Sequence, residues 1–456
     1  MDTKKDPMRE EFKEREERIS RIRKFLDGKL YSEMAAFLNE TEPENTAEIL
    51  GEFSMEEKLS IFGAIGARAA AVVLDDTDPE TRRMLLRKVD KKTIGKILDE
   101  MPADEAADVI EEMAEEDRDD YLGLMEDEDA AEVEEILSYP EDSAGRVMNP
   151  DFVAVKYDDD VEDAIRHIRS VGIDEDFFYA YVVDGAEKLR GVVPLKKFLL
   201  SPKGTLIKDI VEGDVHSVLI DTDQEQAAGI MKKYDLLSLP VVDDKGKLVG
   251  RITADDIIDV IEEEQAEDIS KMTGTIEEEY GTESTFKAAK NRFPWLITCM
   301  LGSILTGLVI QMFEVTLEEM IALVSFIPVI TATGGNSGVQ ASTVVIRGIA
   351  LGHMDISKLG EEAWRQLKIA LGLGIVCGMV LTILASIWKA NSVVGLIAGL
   401  SIFLVVVWSN FVGVSVPLMF KKMNIDPALA SGPLITTLND IIGVFIYLSV
   451  AAFLLN

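Results

Sequence analysis

The sequence predicts a multidomain membrane protein: an α-helical superhelical N-domain, a repeated pair of α/β modules and a five-helix transmembrane domain. Three observations carry that prediction. Charge divides the chain sharply, five long apolar stretches follow one another in its last third, and two internal repeats of different period precede them.

The 456 residues are enough for two or three domains. Their formal net charge of −36 is unevenly spread. From Lys287 onward there are ten Lys/Arg and eight Asp/Glu, which leaves 36 basic and 74 acidic residues before it, a net of −38. Such a region repels polyphosphate, so nucleic acid is excluded as a partner, whereas divalent cations would relieve its self-repulsion. Acidity also confers solubility, and charge alone does not separate these roles. Cys299 and Cys377 both lie in apolar runs and form neither a disulfide framework nor a thiolate metal site. The opening MDTKKDPMREEFKEREER lacks the apolar core of a signal peptide, which predicts a cytoplasmic N-terminal part.

Apolar stretches near 293–313, 320–346, 366–388, 392–420 and 428–455 are each long enough to cross a bilayer. Pro328, Gly334, Gly335, Pro417, Gly432 and Pro433 inside them suggest interruptions lining a cavity. With the N-terminus in the cytoplasm, five spans put the C-terminus outside. Nine of the ten basic residues then fall on or near the cytoplasmic side and only Lys389 outside, in keeping with the positive-inside rule. The first external loop, 314–319, holds three glutamates and reads as a solvated acidic turn.

Asp440 sits within LITTLNDIIGVFIYLSV, far from any basic residue in sequence. A carboxylate at membrane depth is expensive and commonly faces a water-filled path or an ion, the alternative being a cap on a broken helix. Ser431, Thr436, Thr437 and Asn439 surround it, and the polar island TATGGNSGVQAST (331–343) occupies span two. Gly334 and Gly338 in that island also fit small-residue helix packing. Oxygen-only ligands without His or thiolate favour a hard cation, and one or two carboxylates suit a largely hydrated Mg²⁺.

Residues 20–137 read as short helices separated by acidic turns. MPADEAADV at 101–109 aligns with MEDEDAAEV at 125–133, a spacing of 24 that indicates a stacked helical array. Asp104 and Asp108 share a helix face there, where like charges destabilise the helix unless something neutralises them. Between 138 and 262 a second repeat has a period of 59: AYVVDGAEKLRGVVPLKKFL (180–199) matches LPVVDDKGKLVGRITADDII (239–258), each reading strand, turn, strand, helix. This repeat resembles a tandem pair of CBS domains. Such pairs bind adenine nucleotides through a Gly-x-x-Thr/Ser-x-x-Asp segment, present in the second copy as Gly250, Thr253 and Asp256. The first copy departs, with Pro194 and Lys197 at the matching places, so the resemblance supports at most one site, for ATP or a related nucleotide. Next comes an acidic connecting, or plug, region at 263–285. Its helix, begun in the second copy, carries Asp256, Asp259, Glu263 and Glu267 roughly along one face.

The order of parts, a charged segment at 1–19, the helical domain at 20–137, the CBS pair, the connecting region and a pore domain at 286–456, resembles the MgtE family of Mg²⁺ channels. TGGNSGVQASTVVIRGIA (333–350) and DPALASGPLITTLNDIIG (426–443) are the most specific parts. The resemblance implies a homodimer in a bacterial inner membrane, in contact with its lipid. Spans two and five of both subunits would form the pore, with Asp440 holding hydrated Mg²⁺, Thr436 one turn earlier and Asn336 nearby. It also implies that cytoplasmic Mg²⁺ closes the path by binding at Asp104, Asp108, Asp223, Glu225, Asp235, Asp256, Asp259, Glu264, Glu267 and Asp268. Entry would follow the electrochemical gradient. A coupled exchanger and a non-conducting Mg²⁺ or nucleotide sensor are the rival readings. With three histidines (167, 216, 353) and no nucleophile–base motif, the sequence does not read as an enzyme.

Overall fold

A computed structural model describes residues 7–113, 115–171, 177–275, 285–350, 359–423, 425–430 and 432–455. Ser431 and positions 276–284 of the connecting region lie outside the described residues. The chain forms two compact units, Met1–Ile261 and Glu262–Asn456.

The first unit opens with helix Pro7–Asp27, so the boundary expected at residue 20 falls inside a helix whose Ile19 and Ile22 are buried in the core. Nine described helices then begin at Tyr31, Pro43, Met55, Ala67, Pro79, Lys91, Ala103, Glu115 and Asp127, one every twelve residues. The 24-residue repeat of the sequence is therefore a pair of helices, and the underlying period is half as long. Helix starts are specified locally. Pro43 and Pro79 occupy first positions, where the missing N–H costs nothing. Ser54 and Glu57 form a capping box, and Asp78 and Asp90 accept from the amides of Thr81 and Thr93 at 2.9 and 3.0 Å. Leu50, Leu74 and Leu98, spaced by 24, are fully buried in one continuous core against which Leu122 packs.

Two three-stranded sheets follow. The first orders β1 (Ala154–Lys156), β2 (Tyr179–Val183) and β3 (Leu189–Pro194) side by side; the second repeats this with β4 (Val218–Leu219), β5 (Ser238–Val242) and β6 (Leu248–Thr253). In each the first pair is parallel and the second antiparallel. From β2 to β5 and from β3 to β6 the offset is 59 residues, matching the sequence repeat. The Tyr181 hydroxyl on β2 lies 2.7 Å from Ser238 Oγ on β5. After β6 the connecting helix runs from Ala254 to Thr273 without a break.

The second unit contains five helices long and apolar enough to cross a membrane: Ala288–Met312, Ile321–Ala350, Gly360–Lys389, Ser392–Lys422 and Gly432–Leu455, called spans one to five below. Span two begins as a 3₁₀ turn, Ile321–Phe326, before its α-helix, and span five is preceded by a 3₁₀ turn at Pro427–Leu429. The expected interruptions at Gly334, Gly335 and Pro417 are absent, because the α-helices Ile327–Ala350 and Ser392–Lys422 run through them. Pro328 lies in the first turn of its helix, where no intrahelical N–H is needed. The two glycines are notches rather than hinges: a Cβ on Gly334 would stand 2.6 Å from Val405 Cγ1 of span four. Glu314–Glu319 is a short helix, not a turn.

Candidate functional site

Spans two, four and five meet along the polar island. Asn410 Nδ2 of span four donates to Ser337 Oγ of span two at 2.6 Å, and Ser342 Oγ donates to the carbonyl of Ala430 at 3.2 Å. Tyr447 Oη of span five donates to the Leu323 carbonyl at 2.8 Å, fixing span five to the 3₁₀ turn. A Cβ on Gly335 would stand 3.1 Å from Thr436 Cγ2, so spans two and five cross where Asn336 follows on one helix and Asp440 lies one turn further along the other. Asn336 is exposed, while Thr436 and Asp440 are half-buried. Asp440 is the ninth residue of its helix, about 12 Å from the helix start. Beside it Asn439 is fully buried with both amide atoms unpaired among the described residues, at about 1–3 kcal/mol for each such group.

A second cluster ties the end of the connecting helix to the approach to span five. Lys271 Nζ stands 2.8 Å from Asp426 Oδ2 and 2.5 Å from Glu267 Oε1, and Asp426 Oδ1 accepts from the Ala428 amide at 2.8 Å. Burial alone would lower the Lys271 pKa, but hydrogen bonds to Asp426 and Glu267 outweigh it and push it up. Asp268 is raised by burial and by Asp426, against the pull of Lys271. Gly274, at φ +74°, lets the chain pass Trp295 and Pro433, whose ring atoms would lie 3.1 and 3.3 Å from a Cβ there.

The nucleotide motif is assembled at the end of β6. Asp256 Oδ2 accepts from the Thr253 amide at 2.8 Å and from its hydroxyl at 2.5 Å, so the acid caps the connecting helix. Gly250 is required by packing: a Cβ would stand 2.7 Å from Met148 Sδ and 3.0 Å from the Asn149 carbonyl. Thr253 and Asp256 line a cavity of about 360 Å³ with Tyr181, Arg251, Asp104 and Glu105. In the first copy Lys197, 59 residues before Asp256, is engaged elsewhere, donating to the Ile210 carbonyl at 2.8 Å and pairing with Glu212 at 3.0 Å.

Carboxylates crowd where the helical array meets the CBS pair. Asp104 is buried (7% exposed), whereas the Asp108 side chain is largely exposed and pairs with Arg146 at 3.3 Å; Arg146 also holds Glu111. Burial pushes the Asp75 carboxyl up to about 6; Arg82 opposes the rise, and Asp76, Asp259 and Asp256 add to it. Asp223 caps helix Gln224–Tyr234 by accepting from the amides of Glu225 and Gln226, and Asp235 closes that helix in the left-handed region at φ 52°. Asp223, Glu225 and Asp235 are exposed, as is Asp259; Glu264, Glu267 and Asp268 are half-buried. Among the described residues, no three Asp, Glu, His or Cys side chains converge as a ready metal-binding group. The sequence reading missed Asp75, Asp76, Arg146 and Lys271. The only local signal for Asp75 and Asp76 is an acidic pair closing a helix, and Asp426 is visible only within the DPALASG segment.

A helical array and a CBS-like pair, followed by five membrane spans, define the class: a multi-span membrane protein with appended soluble modules. Family models match in the same order: the MgtE intracellular N domain over 41–142, the CBS domain over 144–202 and 207–263, and MgtE, a divalent cation transporter, over 327–450. The magnesium transporter MgtE of Thermus thermophilus is 37% identical over 336 residues, 72% of this chain and 73% of that protein. The magnesium transporter MgtE of Enterococcus faecalis is 36% identical over 324 residues, 71% of each. The crystal structure of the soluble part of a magnesium transporter is similar with a TM-score of 0.51 and 27% identity, over 55% of this chain and 99% of that one. The chain belongs to the MgtE family.

Proposed function

We propose that this protein carries Mg²⁺ across the membrane down its electrochemical gradient and that cytoplasmic Mg²⁺ closes the path. The observation that carries the transport reading is Asp440, the one carboxylate within the five spans away from their ends. With Thr436 one turn earlier and Asn336 at the crossing of spans two and five, it presents oxygen ligands alone. Such a set suits a cation that keeps most of its water. A second copy of the chain would double the carboxylate, which supports a homodimeric pore. The basic residues favour a cytoplasmic N-terminus and an external C-terminus, and the bacterial relatives favour a bacterial inner membrane. A divalent ion then gains about 4.6 kcal/mol per 100 mV, twice the single-charge value.

Closure is supported by repulsion that cations would relieve. Asp75 lies within the field of Asp76, Asp256 and Asp259, with Asp104, Asp108, Asp223, Glu225 and Asp235 as further sensing carboxylates. Glu264, Glu267 and Asp268 extend the acidic surface along the connecting helix. Several weakly bound ions that all favour one state add their contributions. The cavity holding Thr253 and Asp256 is the place for an adenine nucleotide in the same unit.

Mg²⁺ flux into liposomes containing the purified protein tests the reading. Wild type should conduct and Asp440→Ala should not. Wild type without flux would leave a sensor, and flux that requires a counter-ion gradient would leave an exchanger. Currents in excised patches that ignore cytoplasmic-side Mg²⁺ would remove the valve.

A further inference from the structure

The junction of spans two, four and five holds polar atoms that the transport reading does not use. Asn439 is 0% exposed, and neither its amide nitrogen nor its amide oxygen has a hydrogen-bond partner among the described residues. Ser409 Oγ on span four is buried and unpaired in the same way. Both side chains converge on a single turn of span two. Asn439 Nδ2 presses on the face of Gly338, occupying the space a side chain there would need. Ser409 Oγ lies 3.3 Å from the Cβ position of Gly334, and the Ser409 carbonyl lies 3.2 Å from that of Gly338. Ile435 and Val405 supply apolar walls.

At membrane depth such an amide is costly unless satisfied, a cost that a leucine, with the same branching and number of heavy atoms, does not carry. Anything satisfying it must both donate and accept, because Asn439 and Ser409 each do both. Neither residue carries a charge that would offset that of a buried ion, which favours a neutral occupant. Water meets these requirements, and buried water usually bridges polar groups that protein atoms leave unpaired. Asp440 follows Asn439 directly. Any rotation of span five that moves the buried amide therefore swings the neighbouring carboxylate.

We infer that Asn439 and Ser409 together bind ordered water at this three-span junction, and that the hydrated contact is a positioning site which sets the rotation of span five and hence the aim of Asp440. The positioning role rests on the reading of Asp440 as the ion-path carboxylate; the water site does not.

The test uses the full-length protein with Asn439→Leu, Ser409→Ala and the double variant. X-ray footprinting in ¹⁸O-labelled water should mark Ile435 and Val405 in wild type and lose that label in Asn439→Leu. In liposomes the Mg²⁺ concentration for half-maximal flux should rise about fivefold or more in Asn439→Leu. The melting temperature in detergent should hold or increase, a combination that a purely structural residue would not give. Ser409→Ala, a small change that avoids any packing failure of the leucine, should shift half-saturation in the same direction. The double variant should shift it no further than the larger single change. Absence of label at the junction in wild type overturns the water site whatever the flux. Label without any shift in half-saturation overturns the positioning role, and additive shifts overturn the shared water. Wild type without flux removes the ion-path reading while the footprint still decides the water.

Discussion

The Lys271 ammonium stands 2.8 Å from Asp426 Oδ2, joining the last turn of the acidic connecting helix to the segment that leads into span five. The lysine neutralises carboxylates that would otherwise repel each other, Asp426 and Glu267 directly and Asp268 through its field. A divalent ion could take the same place with greater charge.

Lys271→Met should therefore leave an uncompensated acidic cluster with greater appetite for Mg²⁺. Half-maximal closure is expected at about fivefold lower cytoplasmic-side Mg²⁺, the worth of roughly 1 kcal/mol for one partly screened charge. Patch currents against Mg²⁺ concentration measure it. An unchanged or higher concentration would show that the ammonium does not compete with the ion.

Asp75 makes stability depend on pH. Its carboxyl is raised from 3.8 to about 6, so the folded protein holds the proton more tightly than the unfolded chain does. The contribution is fully present below the unfolded value and lost as pH rises through about 6. Melting at fixed low Mg²⁺ should thus weaken between pH 5 and pH 7, and Asp75→Asn should remove roughly 1–3 kcal/mol of that dependence. The charged groups facing Asp75 are Arg82, Asp76, Asp256 and Asp259, and Mg²⁺ should blunt the same slope.

Asp256→Ala removes the acceptor of two bonds from Thr253. A lost cap costs about 1 kcal/mol, seen as a lower melting temperature. The thermal shift produced by added ATP should vanish in the same variant. A preserved ATP shift would place nucleotide away from Thr253 and Asp256.

Gly338→Ala should be poorly tolerated, because its methyl group meets Asn439 Nδ2 and would stand 3.0 Å from Ile435 Cγ2. Overpacking of this kind costs about 1–3 kcal/mol. Gly307→Ala, with open space around its Cβ, is the matched control and should melt like wild type.

Periodic features were legible in the sequence because they repeat. The 59-residue offset survives intact in β2 and β5. Apolar runs gave all five spans within a few residues at most ends, because hydropathy needs no knowledge of neighbours. Asp440 stood out because a carboxylate among apolar residues contradicts its surroundings. Tertiary pairings were not legible: nothing local to Arg146 announces Asp108, and nothing near Lys271 announces Asp426, 155 residues away. Glycine misled at Gly334 and Gly335, where the residue permits close packing in an unbroken helix rather than a bend. Asp223 and Asp256 were read for ligand chemistry, and the fold also employs each as a helix cap.

The twelve-residue spacing of the helix starts from Pro43 to Asp127 makes the N-domain a ruler with two graduations. Cutting out or duplicating 24 residues would restore the succession of buried leucines at Leu50, Leu74 and Leu98, shortening or lengthening the stack by one whole step. A cut of twelve would instead exchange the two helices of every later pair, even though both members bury the same two positions, as at Ile61 and Phe62 and at Val73 and Leu74. Length variants of this domain that differ by multiples of 24 residues should therefore keep the pairing of its helices intact.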